Sequence, residues 1–266
     1  MRLLAPAKIN LNLSITGRLD NGYHTLDSVM VFTQWGDEMI IKPAKQFTLT
    51  ADGPYSNIFT GELLSTNRGA PNLIVKAVYM MADKANCNPD IHVHVTKNIP
   101  AGAGLGGGSS NAATIMRALN DYWDIGLSID ELCAMGLTLG AELPVCLRGI
   151  PSRVTGIGDV IEPIAIESKI MLIAWPDLPL MTKDVFDLYR QSPEKGQKND
   201  LMASAVSLCP EIGMLITQLQ SCEGCEGASM SGSGSACFGV FGSVDQANDA
   251  VPKFKNAVVT MTMTGN

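Results

Sequence analysis

Apolar and polar positions alternate from residue 2 to residue 16, with Ile9, Leu11, Leu13 and Ile15 on one side and Lys8, Asn10, Asn12 and Ser14 on the other. That period of two predicts a half-buried strand; a solvated face is the ordinary reading for a lone Lys8, and the motifs below reverse it. Gly17 and the Asp20-Asn21-Gly22 triplet signal a turn, and Tyr23-His24 leads into the apolar run 29–32. Further strands are expected over 36–50 and a polar loop over 50–70. Asn72 is a plausible N-cap for an amphipathic helix over 73–85. A strand follows at 91–95, carrying His92 and His94 on its polar side. Ala112, Ala113, Ile115, Met116, Leu119 and Tyr122 recur at helical spacing, so a second helix begins near 109–111 with a Ser or Asn as its cap. Ser128 and Glu131 form a capping box for a third, with Gly140 as the residue that stops it. Pro144 suits the first turn of a short helix with Glu142 just ahead of it.

A soft boundary is expected between 149 and 165, where a hairpin turns over 155–159. Beyond it the pattern predicts a strand at 169–175, a loop holding Thr182, a helix at 184–190 and a polar linker over 191–198. Asn199 and Asp200 can cap a helix from Leu201, and another helix spans 210–220. A glycine-rich segment over 230–241 feeds a strand; a helix at 245–254 and a strand at 257–263 end the chain. Strands and helices mix without strict βαβ alternation, so the fold class is α+β.

The densest signal interrupts this pattern. Gly102, Gly104, Gly106, Gly107 and Gly108 fall within seven residues and run straight into Ser109, Ser110 and the second helix. Glycine lets backbone approach a ligand closely, and a helix N-terminus offers unpaired N–H groups at the positive end of its dipole. The combination predicts a phosphate cradle. The string also fits G-x-G-x-x-G, but it lacks the directly preceding strand and the distal acidic residue of a dinucleotide loop. It also lacks the lysine of a P-loop.

Composition narrows the field. The chain has 266 residues, 46% hydrophobic and 17% charged, which suits one large domain or two small ones with an ample core. No apolar run reaches the ~18 residues of a membrane span. The apolar stretch at the start is too short for a signal peptide. A cytoplasmic location is therefore expected, and separately a monomer or weak homodimer. The net charge of −7 argues against nucleic acid and anionic membranes as partners. Seven cysteines are expected as free thiols, and the lone Cys222-x-x-Cys225 pair lacks the second half of a zinc site.

Five motifs then line up in order: AKINLNL from Ala7, GRLDNGYHTL from Gly17, PNLIVKA from Pro71, GLGGGSSNAA from Gly104 and LGAELPVCL from Leu139. With MSGSGSACF from Met230, they resemble the GHMP kinases over nearly the whole chain. They are most similar to the branch that acts on a methylerythritol carrying a cytidine diphosphate. The resemblance implies a ribosomal-S5-like N-terminal domain (1–155) that binds ATP, a ferredoxin-like C-terminal domain (156–266), and an active site between them. It implies transfer of phosphate from ATP to a tertiary hydroxyl, with Mg²⁺ bridging phosphate oxygens and Ser109 or Ser110 as its ligand.

By the family pattern, Gly102, Gly104, Leu105, Gly106, Gly107, Gly108, Ser109 and Ser110 wrap the ATP phosphates. Asn72, Leu73, Ile74 and Lys97 lie on the nucleotide side. Tyr23, His24 and Phe186 hold the cytosine, Asn10 and Thr182 orient the erythritol end, and Gly232, Ser233 and Gly234 approach the substrate phosphates. Lys8 and the carboxylate at 142 are the catalytic pair. That carboxylate departs from the pattern, since the family has L-G-A-D-x-P and this chain has Glu142. The extra methylene adds about 1.5 Å of reach, and a misplacement near 1 Å can cost ~10²-fold in rate. A weakly active or non-catalytic ligand-binding paralogue, a GHMP kinase for another small alcohol, and an NAD-dependent oxidoreductase are the alternatives.

Overall fold

The computed structural model describes residues 1–20 and 22–264. Asn21, in the turn expected over 20–22, lies outside the described residues. The chain opens with β1 (Arg2–Asn10), β2 (Ser14–Arg18), β3 (His24–Pro43) and β4 (Thr48–Asp52). Then come α1 (Leu73–Ala85), β5 (Ile91–Thr96), α2 (Gly107–Tyr122), α3 (Ile129–Leu137) and α4 (Leu143–Arg148). The hairpin β6 (Ser152–Gly156) and β7 (Val160–Pro163) leads to β8 (Ile170–Ala174), α5 (Thr182–Gln191), α6 (Met202–Leu208) and α7 (Glu211–Gln220). The last elements are β9 (Cys225–Met230), β10 (Cys237–Phe241), α8 (Val244–Ala250) and β11 (Ala257–Met261).

Two compact units are threaded through one another in sequence. The first holds residues 1–7, 35–101 and 106–149; the second holds 8–34, 102–105 and 150–266. In the first, the C-terminal half of β3 pairs antiparallel with β5, and β5 pairs parallel with the short strand β4. Helices α1, α2 and α4 pack side by side. Ile74, Val78 and Met81 of α1 and Ile115, Met116 and Leu119 of α2 are at most 2% exposed. Each such side chain contributes about 1.5–3 kcal/mol on burial.

The second unit has the N-terminal half of β3 paired with β2 and with β6 of the hairpin. It also has a four-stranded antiparallel sheet in the order β11-β8-β10-β9. Leu172 and Ala174 of β8 pack with Val185 of α5, Leu201, Ile212 and Leu219 of α7, and Met230. The α+β class holds, and no described helix is long and apolar enough to cross a membrane.

Several expectations need correction. The strand expected over 2–16 is two strands, because Asn12 turns inward: its side chain accepts from Val29 N at 2.8 Å. β9 has no strict polar–apolar alternation and was not expected. α3 stops at Leu137 with Thr138 at its C-cap, and Gly140 does not adopt positive φ. Thr182 is the first residue of α5 rather than part of a loop.

Candidate active site

The glycine stretch belongs to both units, residues 102–105 to the second and the part from 106 onward to the first. Gly102, Gly104 and Gly106 sit at φ +66, +72 and +66, where side-chain-bearing residues are disfavoured. Gly106, not a Ser or Asn, is the N-cap of α2, and no side chain caps that end. Ser109 and Ser110 lie inside the helix instead, Ser109 partly exposed and Ser110 buried. A glycine cap can adopt the left-handed turn, and it leaves the first-turn N–H groups to be satisfied by an anion.

In the first unit, Asn72 caps α1 by accepting from Ile74 N at 2.9 Å and donates to Leu63 O at 2.7 Å. Ile74 is a core residue; Leu73 is half-buried, and its Cδ1 lies 3.8 Å from where a Cβ on Gly108 would stand. The starts of α1 and α2 are thus neighbours. Lys97 is buried against Asp37. Glu142 is the exposed N-cap of α4, its carboxylate is not used to cap that helix, and Pro144 stands in the first turn.

In the second unit, the polar face of β1 is not solvated. Lys8 and Asn10 are each 1% exposed, because the glycine loop and the loop after β9 close over them. Lys8 Nζ donates to Asn10 Oδ1 at 2.7 Å and to the carbonyl of Gly104 at 3.4 Å. Asn10 Nδ2 donates to Ser28 Oγ at 2.8 Å, and Ser28 donates to Asn12 O at 2.6 Å. Ser231 Oγ accepts from Asn10 N at 3.1 Å and donates to Gly104 O at 3.0 Å. Gly232 and Gly234 adopt positive φ, and Thr182 Oγ1 lies 3.0 Å from Ser233 Oγ. Lys8, Asn10, Gly104, Thr182 and residues 232–234 therefore fall on one connected stretch of this unit.

His24 stacks on Phe186 at 5.0 Å between ring centroids and 26° between planes, with Tyr189 edge-on at 6.2 Å. Burial, then the Arg18 and Arg190 charges, hold the His24 ring below its ordinary titration range. Tyr23 is 59% exposed. His92 and His94 bond the hydroxyls of Thr48 and Thr50 across β4 and β5.

A family model described as the GHMP kinases N terminal domain matches residues 72–161, and one described as GHMP kinases C terminal matches 186–259. The 4-diphosphocytidyl-2-C-methyl-D-erythritol kinase of Chelativorans sp. (strain BNC1) is 35% identical over 94% of this chain and 90% of its own. The chain belongs to the 4-diphosphocytidyl-2-C-methyl-D-erythritol kinase family of GHMP kinases. Its Brucella abortus biovar 1 (strain 9-941) relative is 36% identical over 90% of this chain and 85% of its own. The crystal structure of a 4-(cytidine 5'-diphospho)-2C-methyl-D-erythritol kinase matches with a TM-score of 0.82 at 29% identity, over all of both chains.

Mg²⁺ is the cation that the family resemblance implies. Among the described residues no group of three or more His, Cys, Asp and Glu side chains could hold a metal. Mg²⁺ in phosphoryl-transfer sites needs no such cage, since it keeps several waters and takes one or two protein oxygens beside the phosphates. The partly exposed Ser109 hydroxyl, on the first turn of α2, fits that sparse role. Sequence reasoning passed over Asp37, Ser28 and Ser231. Only Ser231 carried a local signal, lying inside the second glycine-rich segment.

Proposed function

We propose that this chain transfers the γ-phosphoryl group of ATP to the 2-hydroxyl of 4-diphosphocytidyl-2-C-methyl-D-erythritol, giving the 2-phosphate and ADP. The observation that carries this reading is the Lys8 ammonium, buried and held both by Asn10 and by the carbonyl of Gly104 within the phosphate loop itself. Phosphoryl transfer needs little covalent help; it needs positioning and charge neutralisation. A fixed ammonium supplies both.

In this reading the loop over 102–110 cradles the ATP phosphates, with Asn72, Leu73, Ile74 and Lys97 on the nucleotide side. Lys8 stabilises charge at the reacting oxygen, and Glu142 accepts the hydroxyl proton. Its exposed place at the start of α4 supports that last role. Tyr23, His24 and Phe186 hold the cytosine, with the rings stacking on the base and His24 reading its edges. Asn10 and Thr182 orient the erythritol end, while residues 232–234 offer backbone N–H groups to the substrate phosphates. Ser109 would hold Mg²⁺, which neutralises phosphate charge when bound. Residues 1–155 form the ATP-binding domain and 156–266 the C-terminal domain of a cytoplasmic monomer or weak homodimer.

The test is ADP release from ATP and Mg²⁺, with and without 4-diphosphocytidyl-2-C-methyl-D-erythritol, for wild type, Glu142→Gln and Glu142→Asp. Acceptor-stimulated release that Glu142→Gln abolishes is the expected result. A silent wild type beside an active Glu142→Asp would retain the substrate and make the natural carboxylate a poor base. Silence in all three, with ligands still bound, would replace the kinase by a binding paralogue.

A further inference from the structure

Within the second unit, the carbonyls of residues 102–105 are all taken by other segments. Gly102 O accepts from Leu180 N at 3.1 Å, Ala103 O from Ala236 N at 3.0 Å and Leu105 O from Lys8 N at 2.9 Å. Gly104 O accepts from Ser231 Oγ at 3.0 Å and Lys8 Nζ at 3.4 Å. β1 and the loop after β9 thus hold Ala103, Gly104 and Leu105. Gly102 is held instead by the segment over 176–181 that joins β8 to α5. Pro179 of that segment packs on the same glycine, since a Cβ on Gly102 would stand 3.1 Å from Pro179 Cβ.

The segment is a strap with little apolar anchorage. Asp177, Leu178, Pro179 and Met181 are exposed, Leu178 by 47% and Met181 by 68%. A segment with few buried contacts belongs to the less stable parts of a fold, so hydrogen bonds decide where it lies. At its base Asp177 pairs with Lys255 and accepts from Asn256 Nδ2 at 2.6 Å. That pair is on the surface, where ion pairs contribute little. At the far end Thr182 Oγ1 lies 3.0 Å from Ser233 Oγ. Between the two ends, Ser235, 1% exposed, donates its hydroxyl to Leu178 O at 2.8 Å. Leu178 immediately precedes the stretch that carries both the Leu180 N–H and Thr182.

We propose that Ser235 is a positioning residue for phosphoryl transfer: by fixing Leu178 it sets the strap, and the strap holds Gly102 and Thr182 in one register. This rests on reading residues 102–110 as the ATP phosphate site and Thr182 as an acceptor contact. The single hydroxyl proton of Ser235 is engaged by Leu178 O, so the residue acts through the strap. Each substrate still binds through its own contacts when the strap slips, whereas transfer depends on their mutual alignment. A misplacement near 1 Å can cost ~10²-fold in rate. Loss of the Ser235 bond therefore reads in kcat and not in either affinity.

The experiment compares full-length wild type, Ser235→Ala and Ser152→Ala at a temperature well below the Tm of each. It reads kcat, the KM for ATP and for the cytidine acceptor, and calorimetric binding of ADP and of the acceptor, each alone. Ser235→Ala is expected to lose kcat about tenfold. Both KM values and both affinities are expected to stay within about threefold of wild type. Ser152 is the control: it is 0% exposed and donates to Ile150 O at 3.0 Å, so Ser152→Ala loses the same kind of bond outside the strap. It is expected to lower Tm and leave kcat within about twofold. A Ser235→Ala enzyme with kcat within about twofold of wild type would overturn the proposal. An equal kcat loss in Ser152→Ala would overturn it too, since the loss would then follow stability alone. So would a fall in ADP or acceptor affinity as large as the fall in kcat, which would make Ser235 part of a binding site. Should Ser235→Ala not fold, Pro179→Gly loosens the strap through backbone freedom. It is expected to lose kcat about tenfold with both affinities kept, and an unchanged kcat overturns the proposal. A wild type that binds no ADP, or releases none in response to the acceptor, would instead sink the reading on which the proposal stands.

Discussion

Gly104 is the position where a single methyl group should do the most damage. Its φ of +72 places an alanine in the left-handed region, at about 1–2 kcal/mol. Its missing Cβ would stand 2.3 Å from Ser231 O, 2.9 Å from Gly234 O and 3.0 Å from Gly234 N. All three are backbone atoms, so no rotamer change relieves the clash. Restoring ordinary contact needs about 1 Å of separation between the two glycine loops. The Gly104 carbonyl receives both the Lys8 ammonium and the Ser231 hydroxyl, so the displacement falls on the Lys8 ammonium proposed to act at the reacting oxygen. Movement of that size costs about 10²-fold in rate. Strain and overpacking together cost about 2–5 kcal/mol, a Tm loss of roughly 5–15 °C for a chain of this size. The assay is coupled ADP release with a melting curve for each variant, using two internal controls. Gly61 shares a positive φ but has nothing within 4 Å of its Cβ position, and Gly69 has open space without positive φ. Gly61→Ala should lose about 1 kcal/mol and no activity; Gly69→Ala should change neither. A Gly104→Ala enzyme with kcat within about threefold of wild type would refute the reasoning, as would an equal loss in Gly61→Ala.

Ser231→Ala strips the partner from the buried Asn10 N–H and one donor from Gly104 O. Stability should fall by about 1–3 kcal/mol and kcat by about tenfold, and an unchanged kcat in the same coupled assay would count against a placing role for this hydroxyl. His24 titrates below its ordinary value of 6.5 in the folded chain, so below that pH the unfolded chain takes up a proton that the folded chain resists. The stability that His24 contributes is present above pH 6.5 and is lost as pH falls toward the lowered value. Wild type should therefore lose Tm relative to His24→Gln below pH 6.5, and a difference that stays constant down to pH 5 contradicts this. Burial drives the Cys237 thiol far above its usual range, whereas Cys87 is exposed. Iodoacetamide at pH 8 should label Cys87 first and leave Cys237 untouched until the chain unfolds; equal labelling rates by peptide mapping would rule this out.

The helices with local caps could be read from the sequence. The Ser128–Glu131 capping box forms as expected, and Asn72 caps α1, because both signals depend on neighbours three residues away or fewer. Asn199 shows the limit of such reading. Its Oδ1 does accept from Leu201 N at 2.9 Å, as a helix-start residue should. Its Nδ2 also donates to Met230 O at 3.0 Å and Gly232 O at 2.8 Å, and so anchors the second glycine loop. Asp200, paired with it as a cap, instead accepts from Ile15 N at 2.8 Å. Nothing local in sequence announces a partner tens or hundreds of residues away.

The same limit explains why alternation alone does not place the polar face of β1. Period-two alternation separates two faces of a strand, but it does not say that the polar one meets water. A polar side chain can be buried where its hydrogen bonds are met, and here each member of the face is met by a group from elsewhere. Lys8 has Asn10 and Gly104, Asn10 has Ser28, and Ser28 has Asn12 O. Glycine is what lets that closure happen. At Gly104 it allows another backbone within 2.3 Å of where a side chain would begin, and at Gly107 it leaves room for a lysine ammonium. A run of glycines therefore carries two meanings. One is backbone conformation, as at Gly102 and Gly106, and it can be anticipated from a turn into a helix. The other is proximity to a group elsewhere in the chain, and it becomes visible only once that group is placed.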